Sequence, residues 1–511
     1  MRSFLQKHFW LFAVVIAGLF LAFALALSVK QQLWFDESYS IMVAQNDLPT
    51  IINLARADVH PPLFYILLHF WGSIFGFSEW TLRLFGVVVS AITVFVAIIF
   101  VRKLFGKKTA LLIAPFLLIA PFFARYSFEI RMYAPAILVG VSATFALWSA
   151  WKTKRNWLWA VYALLVATGM YLTYMMALVF VAHAVWLIFV TARSELNEPF
   201  FKHFIKQKWL LSFLGAIALY AVWLPTLFKH LSGGALSGVG SAFGGEQLVG
   251  VFSFALLYTP VWQLQVWQIA LILGVVIFTT FLAVRGFKKK HFVYPNNWFL
   301  LIFLTVIPTV LLFIIANPLF GKPAYMERYL VVFILFFYLL LAAILSASVV
   351  KGQKIAILGY FFTLITLTFG TIHLINVGNY NFQRTNRSQT KVAASVLLDY
   401  CADQIIVDDF YTYIELAPYL PQDCHYVYYA ENEVEFAGGW APLALLDDRR
   451  ISDPSSLAVK KLAIVTARGK NLGFEKSTYY IETEALSIGM QAISLNRAIE
   501  LCDFESESCY N

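Results

Sequence analysis

Long apolar runs separated by short polar segments fill most of the chain up to residue 374. A helix needs roughly 20 apolar residues to cross a bilayer, and the runs predict about eleven spans. These lie at residues 8–29, 80–101, 109–124, 134–151, 157–173, 175–192, 209–227, 263–284, 298–316, 329–349 and 354–374. The predicted fold class is therefore an α-helical polytopic membrane protein.

The segment between the first two spans breaks this pattern. Apolar residues recur at a loosely helical spacing over 38–57, which predicts a helix after the acidic pair of this segment. A second apolar stretch over 61–75 is too short to span a bilayer. Both stretches predict amphipathic helices that lie in the membrane interface within the first outer loop.

After residue 374 the apolar stretches shorten to strand length, as in QIIVDD, CHYVYYA, KKLAIVTA and MQAISL. A helical stretch around Tyr411–Leu420 separates the first two. The pattern predicts a transmembrane domain over residues 1–376 and a small exported α/β domain over 380–511.

All four cysteines fall in this C-terminal domain, and none falls in a predicted span. An even count confined to an exported domain favours disulfides, with free buried thiols as the alternative. The spacing leaves all three pairings open for Cys401, Cys424, Cys502 and Cys509.

Composition and charge fix the predicted topology. The chain is 60% hydrophobic and 13% charged, and its mean hydropathy is +0.72. The net charge of +9 does not indicate nucleic-acid binding, because the basic residues form short clusters between apolar runs. Loops on one side carry more than twice as many Lys and Arg residues as the opposite loops. The positive-inside rule then puts the N-terminus in the cytoplasm, and the loop Trp34–Trp71 and the C-terminal domain outside, with the first run retained as an anchor.

Two carboxylates, Asp36 and Glu37, follow the first span. A solvated pair at the end of a helix is one interpretation. The aromatic neighbours Trp34, Phe35 and Tyr39 favour another, because they lower the local dielectric constant around a carboxylate that could take a proton from a hydroxyl. Later in the same loop, the prolines after His60 predict a rigid turn that carries Asp58 and His60, either as a helix cap or as part of a site.

Basic residues gather in two further outer loops. ARYSFEIRMYAP brings together Arg125, Glu129, Arg131 and Tyr133, and GKPAYMERYL contains Lys322 and Arg328. A self-neutralising Arg–Glu pair and a snorkelling Arg are the structural alternatives. Because Arg suits bidentate binding of phosphate, the loops together predict a substrate with a phosphate headgroup and a long hydrocarbon tail.

Four motifs resemble membrane glycosyltransferases of the C-type fold, in the branch of the protein O-mannosyltransferases and the bacterial aminoarabinose transferases of lipid A. They are WFDESYS, ADVHPPLFYILLHFW, RYSFEIRMYA and MERYL, within residues 1–350. The resemblance implies an inverting transferase in a bacterial plasma membrane, which moves a sugar from a polyprenyl-phosphate donor to a glycan, lipid or protein acceptor. The sequence names neither the sugar nor the acceptor.

The resemblance also implies residue roles. Asp36 would be the general base, and Glu37, Asp58 and His60 would shape the acceptor and phosphate sites. The lipid phosphate would be held by Arg125, Arg131, Tyr133, Lys322 and Arg328. No cofactor is implied. A divalent metal near Asp36 and His60 is not expected to be required, although these side chains could provide ligands. The chain departs from many bacterial members at YLTY, where Thr173 stands in place of a histidine.

Two other classes compete with the enzyme. A transporter or lipid flippase would place ionisable residues near the middle of its spans. Here the spans are nearly free of charge, and His183 on an apolar helix is expected to be a hydrogen-bonded core residue. A receptor or scaffold that presents the C-terminal domain would need no acidic pair after the first span.

Overall fold

The computed structural model describes residues 8–29, 31–193, 199–232, 244–316, 325–378, 390–402, 404–407, 410–421, 423–429, 450–452, 461–467, 479–488 and 491–500. Most of these residues are helical. In chain order the helices are α1 Phe9–Ser28, α2 Phe35–Ala44, α3 Leu48–Ala57, α4 Leu63–Phe75, α5 Glu79–Phe105, α6 Lys107–Leu118, α7 Pro121–Tyr126, α8 Tyr133–Thr153, α9 Asn156–Leu172, α10 Met176–Ala192, α11 Phe200–Ile205, α12 Lys208–Tyr220, α13 Leu224–Ser232, α14 Gly245–Leu257, α15 Val266–Lys288, α16 Pro295–Ile315, α17 Val331–Val350, α18 Lys354–Val377, α19 Thr390–Leu397 and α20 Phe410–Leu416.

Short 3-10 helices extend several of these elements. They are Ala221–Trp223, Val261–Gln263, Glu327–Leu330, Leu398–Tyr400 and Ala417–Tyr419. The first of them joins α12 to α13, so that Lys208–Ser232 is one continuous helical stretch. The third precedes α17 in the same way, over Glu327–Val350.

Among the described residues, eight helices are long and apolar enough to cross a membrane, with mean hydropathies between 1.5 and 2.9. They are α1, α5, α8, Lys208–Ser232, α15, α16, Glu327–Val350 and α18. The prediction of a helical polytopic membrane protein is confirmed, and a helix lies at each of the eleven predicted spans. Three of them, α6, α9 and α10, have 12, 17 and 17 residues, fewer than the roughly 20 that a helix needs to cross a bilayer.

The described part of the chain forms two compact units. The membrane unit comprises Met1–Val29, Val59–Leu67 and Arg83–Gly378. The C-terminal unit comprises Lys30–Asp58, Leu68–Leu82 and Asn379–Asn511, so the loop that carries Asp36 belongs to the same unit as the C-terminal domain.

Helices of the membrane unit pack closely where a glycine removes the side chain. At Gly370 on α18, a Cβ would overlap the backbone of Leu256 and Leu257 at the end of α14. His183 on α10 is fully buried, and its ring nitrogens hydrogen-bond Thr144 Oγ1 at 2.9 Å and Tyr162 Oη at 3.2 Å. His183 is therefore the hydrogen-bonded core residue that the sequence predicted.

The C-terminal unit contains a six-stranded sheet in the order β3-β2-β1-β4-β6-β5. Strands β1 to β4 pair in parallel, whereas β6 pairs antiparallel with β4 and β5. The strands are β1 Ile405–Val407, β2 Tyr426–Tyr429, β3 Arg450–Ile451, β4 Lys461–Ala467, β5 Tyr479–Ile488 and β6 Gln491–Glu500. The predicted small α/β domain is confirmed, and β1, β2, β4 and β6 coincide with the four predicted stretches.

A disulfide joins Cys401 to Cys424. It connects the segment before β1 with the segment before β2, and the His425 N–H donates to the Cys401 carbonyl at 2.9 Å beside it. This is one of the pairs that the sequence left open. Cys502 and Cys509 lie outside the described residues.

Candidate active site

The acidic pair lies in the first turn of α2 rather than ahead of a helix. Glu37 is 2% exposed, and its Oε2 accepts the Trp34 N–H at 3.4 Å, which caps the start of the helix. Asp36 is half-buried, and its backbone carbonyl accepts the Ser40 hydroxyl at 2.8 Å. Negative charge in a first turn is favoured by the helix dipole. The predicted position of the acids before the helix is wrong, because Glu37 itself helps to begin α2.

The single helix predicted over 38–57 is two helices, α2 and α3. Asp47 starts α3, because its Oδ1 accepts the Thr50 N–H at 3.0 Å and Pro49 follows within the first turn. Hydrogen bonds from the Thr50 side chain and backbone hold the pKa of Asp47 below its usual value. A local capping motif therefore outweighs the loose apolar periodicity that predicted one helix.

Asp58 ends α3 and begins the turn before α4. Its N–H donates to the Leu54 carbonyl at 2.8 Å, its backbone is extended, and its side chain is 2% exposed. Asp58 belongs to the C-terminal unit, together with Asp36 and Glu37. All three carboxylates predicted for the site thus lie within the loop segment of one unit.

The predicted phosphate-binding segment runs from the end of α7 to the start of α8 in the membrane unit, and it is buried along its length. Arg125, Glu129 and Arg131 are 2%, 1% and 4% exposed. Arg125 Nη1 lies 3.2 Å from Glu129 Oε2, so the self-neutralising pair considered from the sequence forms here. The segment carries two guanidinium groups and one carboxylate, which makes it electropositive.

Arg131 meets His60, 71 residues earlier in the chain. Arg131 Nη2 lies 3.2 Å from His60 Nε2. A guanidinium only donates hydrogen bonds, so His60 Nε2 accepts and the proton of a neutral ring sits on Nδ1. A tight turn leads to Arg131. In it, the Arg131 N–H donates to the Glu129 carbonyl at 2.7 Å. The structure thus brings the HPP and RMY motifs together.

Two tyrosines flank the segment. Tyr133 starts α8, is 7% exposed, and packs edge-on against Tyr126 with ring centroids 5.1 Å apart. Burial, and secondarily the nearby Glu129 carboxylate, raises the pKa of Tyr126 well above its ordinary value. The Tyr126 hydroxyl therefore stays protonated and can donate a hydrogen bond.

Sequence reasoning missed the residues that hold this segment. On α5, a Cβ at Gly86 would lie 2.9 Å from the Ser127 carbonyl oxygen, and the Ser90 hydroxyl donates to the same oxygen at 3.3 Å. Arg83 donates to the Ser28 carbonyl at 2.8 Å and lies over the Phe128 ring. Arg83, Gly86 and Ser90 share one helix face, since they are three and four residues apart. That spacing of small and polar residues was the available signal.

The remaining predicted groups are placed as follows. Arg328 lies half-buried in the 3-10 helix that leads into α17. Lys322 lies outside the described residues, as does most of the glycine-rich segment 230–247.

The YLTY turn, where the resemblance implies a histidine in place of Thr173, is contacted by a histidine from another helix. Tyr174 Oη lies 2.8 Å from Nδ1 of His230 on α13 and accepts the Trp223 indole N–H at 3.0 Å. His230 is 5% exposed. Only the fold brings this histidine to the turn, because 56 residues separate it from Tyr174.

The described residues do not fit a metal centre. No group of three or more His, Cys, Asp or Glu side chains comes together among them with the arrangement of metal ligands. His60 Nε2 accepts from the cationic Arg131.

Known proteins match this chain in part of its sequence and in its fold. Residues 59–224 match the family model of dolichyl-phosphate-mannose-protein mannosyltransferase. The structure is similar to that of ArnT from Cupriavidus metallidurans bound to undecaprenyl phosphate, with a TM-score of 0.61 and 10% identity, over 97% of this chain and 99% of that one. The apo state of ArnT gives a TM-score of 0.58 and 11% identity, over 94% and 97%. No curated protein sequence matches the chain.

At this identity the likeness to ArnT establishes a shared fold. The family match covers the HPP motif and the segment that carries Arg125 and Arg131. It also covers the face of α5 that holds this segment. The predicted resemblance to this class of membrane glycosyltransferases is thereby confirmed.

Proposed function

We propose that this membrane glycosyltransferase transfers a sugar, with inversion, from a polyprenyl-phosphate-linked donor to an acceptor. The transfer takes place on the extracytoplasmic side of a bacterial plasma membrane. The donor class is supported by the match to dolichyl-phosphate-mannose-protein mannosyltransferase and by the undecaprenyl phosphate bound to ArnT, which has the same fold. The side of the membrane is supported by the distribution of Lys and Arg residues between loops.

The proposed chemistry is a single displacement at the anomeric carbon. An acceptor hydroxyl or amine gives its proton to the Asp36 carboxylate as its oxygen or nitrogen forms the new bond to that carbon. The bond between the anomeric carbon and the phosphate oxygen breaks at the same time. The lipid phosphate leaves with the bonding electron pair.

The leaving phosphate gains negative charge, so cationic groups fixed in advance stabilise the transition state. We assign this role to Arg131 and Arg125, with Tyr133, Arg328 and Lys322 completing the phosphate site. Glu37, Asp58 and His60 are assigned to shaping the site. Glu37 does so by capping α2, and His60 does so by accepting from Arg131.

The observation that carries the proposal is the burial of Arg131 beside His60 in the matched region. Arg131 is 4% exposed and His60 orients its guanidinium, so a cation is fixed in advance where a phosphate could bind. A transporter or flippase is not favoured, because the family match and the fold are those of transferases.

The test is Asp36→Asn in purified protein supplied with undecaprenyl-phosphate-linked sugars. Loss of a general base lowers turnover by roughly 100- to 10,000-fold, so sugar transfer should fall to background while expression and membrane insertion stay normal. Asp47→Asn is the matched control, because it removes a carboxylate of the same loop and asparagine also caps helices. Turnover of Asp36→Asn close to that of wild type would remove Asp36 as the base.

A further inference from the structure

We infer that Tyr419 of the C-terminal domain is a positioning residue for the reaction, which fixes the start of α2 and so acts through Asp36. The inference rests on the proposed role of Asp36 as the general base. It gives the C-terminal domain a function, which is to support the loop that carries Asp36. Neither the family match nor the shared fold assigns this function.

The phenol oxygen of Tyr419 connects three separate parts of the C-terminal unit. It accepts the backbone N–H of Leu33 at 2.9 Å, three residues before Asp36, and it donates to Glu79 Oε2 at 3.3 Å. Leu33 is 1% exposed, so water does not replace this hydrogen bond easily. The backbone of the acidic loop is thereby tied to the C-terminal domain and to the first turn of α5.

A second contact lies one residue earlier in the loop. The Lys391 N–H donates to Gln32 Oε1 at 3.3 Å. The Lys391 ammonium also lies 3.9 Å from Glu79 Oε2, but this pair is exposed and contributes little. Gln32 and Leu33 are thus both held by the C-terminal domain, and the buried backbone contact of Leu33 is the stronger link.

The part of the domain that carries Tyr419 is itself rigidly anchored. Helix α20 and the 3-10 helix Ala417–Tyr419 pack against α2. Behind them, the Tyr413 and Tyr426 rings stack with centroids 4.2 Å apart, and the Tyr426 hydroxyl donates to the Tyr413 carbonyl. Tyr426 lies on β2, which pairs with β1 in the sheet. The contact on Leu33 is therefore backed by the sheet rather than by a surface loop.

Catalysis by a carboxylate depends on its position to within a fraction of an ångström, and small displacements by distant substitutions lower rates strongly. Loss of the Tyr419 hydroxyl leaves the Leu33 N–H and the Glu79 carboxylate without this shared partner. The start of α2 then samples more positions. The step that uses Asp36 should slow, whereas donor binding, which we assign to residues of the membrane unit, should not change.

The experiment compares Tyr419→Phe with wild type in the full-length purified protein. Transfer rates are measured against undecaprenyl-phosphate-linked sugar, and each preparation is normalised by its binding stoichiometry for undecaprenyl phosphate. That normalisation removes any effect of misfolded protein. We expect kcat to fall roughly three- to tenfold, the range for one lost hydrogen bond, at unchanged donor KM and unchanged stoichiometry. Tyr400→Phe, in the same domain but outside this cluster, should leave kcat unchanged.

Glu79→Gln and Glu79→Leu provide a second route. Glutamine keeps an acceptor for the Tyr419 hydroxyl, so Glu79→Gln should retain most of kcat, whereas Glu79→Leu should lower it. Combining Glu79→Leu with Tyr419→Phe should lower kcat less than the product of the two single effects, because both disrupt one connection. If Tyr419→Phe does not fold, the Glu79 pair alone decides.

An unchanged kcat in Tyr419→Phe, or in Glu79→Leu, would overturn the inference. So would a rise in donor KM that matches the fall in kcat, since the effect would then lie at the donor site. None of these results bears on the proposed function, which Asp36→Asn tests separately.

Discussion

The loop that carries Asp36 and Glu37 (the acidic loop) and the segment that carries Arg125 and Arg131 (the cationic segment) are held by different parts of the molecule. The kinds of contact that hold them also differ. The acidic loop is tied to the C-terminal domain through hydrogen bonds to Leu33 and Gln32. The cationic segment is packed against a transmembrane helix, where Gly86 admits its backbone and Ser90 donates to it. The proposed base and the proposed phosphate ligands can therefore be disturbed independently.

The difference follows from the surroundings of each part. In the C-terminal unit, a disulfide, a mixed sheet and side-chain hydrogen bonds supply rigidity. In the membrane unit, close packing at a glycine and buried, hydrogen-bonded arginines hold the cationic segment in place. Substitutions in the first part should change kcat, and substitutions in the second should change donor affinity.

The largest effect on the cationic side is expected from Arg131→Ala. It removes a guanidinium that we assign to the lipid phosphate, and hydrogen bonds to charged groups contribute about 1.5–3 kcal/mol. We therefore expect donor KM to rise roughly 10- to 100-fold, measured with undecaprenyl-phosphate-linked sugar. Arg102→Ala is the control. That arginine lies in the last turn of α5, beside aromatic rings and away from Gly86 and Ser90, which hold the segment of Arg131. An unchanged donor KM would count against phosphate binding at Arg131.

Gly86→Ala should have the next largest effect. The new Cβ would lie 2.9 Å from the Ser127 carbonyl oxygen, which belongs to backbone and cannot swing away, so the segment before Glu129 must shift. We expect donor KM to rise by about tenfold, in line with a misplaced binding group. Gly18→Ala on α1 is the matched control, since nothing lies within 4 Å of its Cβ. If Gly86→Ala and Gly18→Ala have the same donor KM, α5 does not position the segment that carries Arg131.

The smallest effect on turnover should come from the disulfide. Replacing both Cys401 and Cys424 with serine removes a link between residues 23 apart, which costs about 3 kcal/mol of the stability of the C-terminal domain. We expect the unfolding temperature of that domain to fall and kcat to drop by about twofold at unchanged donor KM, because the anchor behind Tyr419 loosens. A rise in donor KM without a change in kcat would contradict this assignment, because the C-terminal domain would then act on donor binding rather than on turnover.

Much of this architecture could be predicted from the sequence. Long apolar runs predicted helices that the structure contains, and short apolar stretches predicted β1, β2, β4 and β6. The signal is strong because lipid and a buried sheet each select for apolar side chains over a defined length. The pattern missed β3 and β5, which are a two-residue strand and a strand of mixed polarity, YYIETEALSI.

The sequence proposed candidate residues for the site, but it held no information on their arrangement. Motif spacing singled out the acids, His60 and the arginines, but it could not show that Glu37 begins a helix or that His60 accepts from Arg131. Contacts between distant residues leave no periodic trace in one sequence, as His230 beside Tyr174 illustrates. Gly86 was missed for the same reason, because the close approach that requires glycine comes from a segment about 40 residues away.

The most direct test of the account measures donor binding and sugar transfer on the same preparation of Asp36→Asn. If this carboxylate is the base and the arginines hold the phosphate, the variant should bind undecaprenyl phosphate with wild-type affinity and transfer no detectable sugar. Transfer at a rate near that of wild type would contradict the account, and so would a loss of undecaprenyl phosphate binding that accounts for the whole defect.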